Sequence, residues 1–163
     1  MLMSGTVLSA CGGDSETSAI DPDDVEFVQG MIPHHEQAVE MSAMALDGRG
    51  GAAVQELARR IQAAQDPEIV VLRAILSRWG VEEDVHAMHH SPDDAAMMGM
   101  LTDGQMGELE MMRGMNFDQR WIQSMIMHHE GAVAMAEAVL AGGVDEEVRA
   151  IAAGVKSVQL AEI

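Results

Sequence analysis

The chain has 163 residues, 48% of them apolar, enough for one folded domain with a real core. Its formal net charge of −18 argues against nucleic acid, whose phosphates would be repelled, and in favour of cations. Aromatic residues are 2% of the chain while Met occurs 16 times, so soft thioether side chains supply bulk that rings would ordinarily give.

The single cysteine, Cys11, excludes an intramolecular disulfide. It sits in "VLSACGGDSETSA", small residues before it and a polar stretch after it, which looks like a bacterial lipobox with a tether. Lipidation of Cys11 would place the protein outside the cytoplasm, held to the cell envelope by the lipid alone. The alternative is a free thiol in an N-terminal tail, since "MLMSGTVLSA" lacks the basic start of a signal peptide. No run reaches the ~18 apolar residues of a membrane helix. Residues 1–20 are therefore read as leader and tether, and 21–163 as one helical domain.

Periodicity predicts a first helix from about Asp24 to Leu46, ended by "DGRGG". A second should run from Ala52 to Gly80, with "DPE" either kinking it at Pro67 or capping a new helix at Asp66. A linker over 81–116 follows, rich in Met and His, with a short helix from about Asp103 to Arg113 and Thr102 as its N-cap. A third long helix should span about Phe117 to Ala141, with Asp118 in its first turn, where a carboxylate suits the dipole. The last helix is a stub reaching Ile163.

A shift of 94 positions superposes the two ends of the chain without a gap. "MIPHHEQAVEM" from Met31 meets "MIMHHEGAVAM" from Met125, Gln65 meets Gln159, and Glu68-Ile69 meets Glu162-Ile163. The chain is a duplication, with repeat one at about 25–80 and repeat two at 117–163. Two helical hairpins packed together give an all-α protein, an antiparallel four-helix bundle with a Met/His-rich linker and a short extra helix.

On a helical wheel His35 and His129 fall within the apolar faces, whereas His34 and Met41, like His128 and Met135, fall on their edge. Glu36 and Glu130 point the other way. Met31 and Met125 precede each histidine pair by one turn. A lone histidine on an apolar face is usually a satisfied core residue, and Met at helical spacing is usually packing. Two copies of the same arrangement favour ligands instead. The linker adds His86, Met88, His89 and His90 within five residues. Imidazole and thioether, with no thiolate beyond Cys11, select copper: Cu(I) through Met and His, Cu(II) through His with carboxylate. Imidazole ligands of ordinary basicity would release the ion near pH ~6–6.5.

"FVQGMIPHHEQAVEMSAMAL" and "FDQRWIQSMIMHHEGAVAMAEAVL" resemble the bacterial family called domain of unknown function 305. The resemblance implies a ferritin-like four-helix bundle, secreted or lipid-anchored, with copper bound in some members. By position it carries Met31, His34, His35, Met41, Met125, His128, His129 and Met135. The expectation is thus an extracytoplasmic copper-binding or sequestering protein, not an enzyme, with metal ions as partners and homodimerisation left open. One alternative is a non-enzymatic helical interaction module. Another is a di-metal oxidoreductase, disfavoured because Glu-x-x-His occurs only at Glu83–His86, in the linker.

Overall fold

A computed structural model describes residues 20–83 and 98–163. Cys11 and the cluster His86, Met88, His89 and His90 lie outside the described residues. Among the described residues five helices follow one another: α1 (Pro22–Met44), α2 (Ala52–Trp79), α3 (Asp103–Met111), α4 (Gly114–Gly142) and α5 (Glu146–Glu162). No strand occurs among the described residues.

Local chemistry sets the boundaries. Asp21 caps α1, its carboxylate accepting from Asp23 N at 2.9 Å, and Pro22 occupies the first helical position. The chain leaves α1 through a wider turn, Ala45–Arg49, where Gly48 takes φ +80°. Thr102 and Gln105 form a capping box at α3. Asp145 caps α5 through Glu147 N at 2.9 Å and Val148 N at 3.0 Å.

Pro67 neither kinks the chain enough to end a helix nor starts one: α2 is continuous through it. Pro67 and Ala63 are both exposed, so the carbonyl that loses its intrahelical donor faces water. The "DPE" signal is overridden by where those residues point.

α1 packs on α2 and α4 on α5, and the two hairpins join through α1 and α4. The start of α1 meets the end of α4, so the pair is antiparallel. One apolar cluster gathers Phe27, Ile32, Leu72, Ile75, Val139 and Val155. A second gathers Met41, Ile61, Leu109, Phe117, Trp121 and Met125. The histidine pairs occupy the layer between the two clusters, since each pair falls between cluster residues along its own helix.

The hairpins clasp each other at both ends by the same device. Asp24 accepts from Val144 N at 3.0 Å and Asp145 N at 2.8 Å, in the turn before α5. Its repeat mate Asp118 accepts from Gly51 N at 2.8 Å, just before α2. α4 begins at Gly114, so Asp118 lies beyond its first turn, and its carboxylate serves the neighbouring hairpin instead of its own dipole. Replacing Asp24 by Ala leaves two amides without their acceptor beneath a residue only 1% exposed. We expect a loss of about 2 kcal/mol in urea unfolding. A loss under ~0.5 kcal/mol would show that water replaces the carboxylate there.

Candidate metal centre

His34, His35, His128 and His129 are at most 1% exposed. The wheel placed His34 and His128 at an edge, but that edge is where α1 and α4 cross. There the two imidazoles face each other, ring centroids 3.7 Å apart and planes inclined by 39°. His35 and His129 turn outward from this pair, each into its own hairpin. His35 Nε2 lies 2.7 Å from Glu68 Oε2 on α2, and His129 Nε2 lies 2.8 Å from Glu162 Oε2 on α5.

Residues 98–102 pass over the pair as a strap. His34 Nε2 is 3.0 Å from the Met98 carbonyl, which can only accept, so Nε2 carries the proton and Nδ1 presents a lone pair. Gln37 locks the strap with both amide atoms, donating to Leu101 O at 2.8 Å and accepting from Leu101 N at 2.7 Å. A Cβ at Gly131 would collide with the Met98 carbonyl, so only glycine lets the strap lie against α4 here.

Many polar atoms in this layer are buried without a hydrogen-bond partner among the described residues. They include Nδ1 of His34, His35 and His129, both ring nitrogens of His128, and amide atoms of Gln65 and Gln159. Burial pushes the His34 imidazole down to about 3, with His35 acting in the same direction. Burial also holds His128 well below the usual histidine range, reinforced by His34 beside it. Both rings are therefore neutral at pH 7, the form a metal ion requires.

The methionines are placed unevenly. Met31, Met41 and Met125 are buried in the apolar clusters, and Met135 is partly buried beside Gly30. Among the described residues no three His, Cys, Asp or Glu side chains surround one point. The donors that converge are imidazoles, with thioethers in the adjoining clusters. That set suits a soft ion of low coordination number better than a hard one demanding carboxylates. Glu36 stays off the site, ion-paired with Arg73. Glu68, Glu162, Gln65, Gln159 and the strap were not among the expected site residues. The 94-residue offset already aligns the first four as pairs, and only the fold turns them toward the histidines.

Duplicated hairpins crossing at paired buried histidines define a class of helical protein with a polar, symmetric centre. The chain belongs to the family described as domain of unknown function DUF305, whose profile matches residues 24–163. It is similar to a DUF305 fragment from Deinococcus radiodurans at 33% identity and TM-score 0.80, covering 88% of this chain and 92% of that one. A DUF305 protein from Streptomyces coelicolor, described as secreted, aligns at 28% identity and TM-score 0.75, covering 86% of this chain and 87% of that one. CopM in its Cu(I)-bound form aligns at 28% identity and TM-score 0.66, covering 86% and 89%. CopM is also known with Cu(II) and with Ag bound. Comparison with curated proteins finds no match. Among the described residues no helix is long and apolar enough to cross a membrane.

Proposed function

We propose that this protein binds copper outside the cytoplasm and holds or sequesters it without turning over a substrate. The observation that carries the reading is the facing pair His34 and His128. The rings are 0% exposed, and three of their four nitrogens have no hydrogen-bond partner among the described residues. Each such buried polar atom costs on the order of 1–3 kcal/mol. A bound soft cation would engage one lone pair from each neutral ring, two of the three, the remaining His128 nitrogen being an N–H. The copper- and silver-bound forms of CopM support the same chemistry.

In this reading α1, α2, α4 and α5 form a ferritin-like four-helix bundle. His34 and His128 are the inner ligands, His35 and His129 stand beside them, and Met31, Met41, Met125 and Met135 supply thioether. The linker cluster His86, Met88, His89 and His90 captures ions that the net charge of −18 concentrates near the surface. Cys11 carries the lipid. Its replacement by Ser should release the protein from membranes, and a wild type that is wholly soluble behind a functional signal peptide would count against the anchor.

The donor set favours a reading without turnover. Di-iron oxidation chemistry needs carboxylates bridging two ions. The acidic groups that reach the histidines, Glu68 and Glu162, are each engaged with one imidazole. The remaining alternative is an interaction module with Met and His as packing. Copper offered against a moderate chelator separates the two: the proposal expects uptake by the purified protein, and the module takes up none.

A further inference from the structure

The centre contains two carboxylates with no assigned task. Glu68 and Glu162 occupy equivalent places in the two repeats, one turn beyond Gln65 and Gln159 on α2 and α5. Their side chains are 30% and 11% exposed, whereas the imidazoles they touch are at most 1% exposed. Each contact is short, at 2.7 and 2.8 Å, and each uses Nε2.

An imidazole that is neutral has one N–H and one lone pair, and the partner of one nitrogen decides the state of the other. An ionised carboxylate only accepts, so it holds the proton on Nε2. The lone pair is then left on Nδ1, which in both His35 and His129 is buried and without a hydrogen-bond partner among the described residues. The Met98 carbonyl does the same for His34, whose Nδ1 is likewise bare. Three of the four histidines thus share one tautomer, set by three separate acceptors on α2, α5 and the strap. Packing alone does not require that agreement.

We infer that Glu68 and Glu162 are positioning residues: each fixes the Nε2–H tautomer and the orientation of its histidine, so that Nδ1 of His35 and of His129 is the nitrogen left with a lone pair to offer an ion. This rests on the copper-binding reading. The carboxylates touch no ion themselves. They keep the lone pair on one side of the ring and make it a stronger donor, the role outer acceptors commonly have behind metal-bound imidazoles.

The test has two readouts on the full chain. Nitrogen-15 NMR of the metal-free protein reports the tautomer of each histidine directly, with no copper present. Cu(I), and separately Ag(I), are then titrated against a competing chelator. The proteins compared are wild type, Glu68→Gln with Glu162→Gln, and Glu68→Leu with Glu162→Leu. Wild type should show Nε2–H at His35 and His129. The glutamine variant should keep that tautomer, because its amide oxygen still accepts, and should lose little affinity. The leucine variant should lose the fixed tautomer and bind Cu(I) roughly 10- to 100-fold more weakly, with unchanged helical content. If the leucine variant fails to fold, the wild-type tautomer and the glutamine variant still decide. Nδ1–H or doubly protonated rings in wild type would overturn the positioning role even if copper binds. Equal affinity in wild type and the leucine variant would overturn it too. The expected tautomer with no metal uptake by wild type would instead sink copper binding, and the positioning role with it.

Discussion

Metal-free protein at pH 4 should be less stable than at pH 7 by about 3 kcal/mol through His34 alone. In the unfolded chain this imidazole takes up a proton as the pH falls through its ordinary value of 6.5, while in the folded chain it resists until about 3. Across that window the unfolded state binds more protons, so stability rises with pH and is lost on acidification. The loss starts just above pH 6.5 and continues toward pH 3. His128 is depressed in the same direction and adds to the effect. Two rings with centroids 3.7 Å apart in a buried layer cannot both charge without opening the crossing of α1 and α4. Urea denaturation from pH 7.5 to 4 should therefore give a steep curve for wild type and a shallower one for His34→Asn with His128→Asn. Parallel curves would mean that surface carboxylates, not the buried pair, govern acid lability. The same depression changes the expectation for release. Imidazoles of ordinary basicity would give up the ion near pH ~6–6.5, whereas rings this reluctant to protonate should hold it to lower pH, until acid opens the centre.

Copper should stabilise the fold by a comparable amount. A ligand that binds only the native state contributes about 4 kcal/mol when free ligand is ~1,000 times its dissociation constant. For a chain of this length that corresponds to a rise of roughly 10 °C in Tm. The gain should be larger than burial of one aliphatic side chain provides, because the ion also engages one unpartnered ring nitrogen of His34 and one of His128. Calorimetry with and without Cu(I) under reducing conditions measures it. His34→Ala with His128→Ala should abolish most of the shift. If that variant keeps the full shift, the stabilising ion sits elsewhere, with the linker cluster as the first place to look.

Much of this architecture is legible in the letters. The 94-residue offset exposes the duplication, and the wheel places His35 and His129 within apolar faces. Legibility ends where contacts become tertiary. His34 and His128 read as edge residues because nothing local reveals that α4 covers that edge of α1, or that residues 98–102 cross above it. Glu68 and Glu162 are visible as a repeated letter, but each stands 33 positions from its histidine, a separation only the hairpin closes. Asp118 reads as a dipole partner and is instead a clasp on Gly51, because its helix begins earlier than Phe117. Pro67 carries a strong local break signal, and α2 runs through it since the orphaned carbonyl faces solvent. Gln37, half of the lock on the strap, has a glycine, Gly131, at the matching place in repeat two. The repeats diverge where one helix holds the strap and the other makes room for it.

The most direct measurement is copper stoichiometry in three proteins under one competing chelator. They are wild type, a variant with His34, His35, His128 and His129 replaced by Ala, and a variant with His86, His89 and His90 replaced by Ala. The account predicts that the helix variant loses the tightly held ion while the linker variant keeps it and loses only weaker binding. Identical stoichiometry in all three would contradict it, removing the buried histidines from metal binding and leaving them as packing in a helical core.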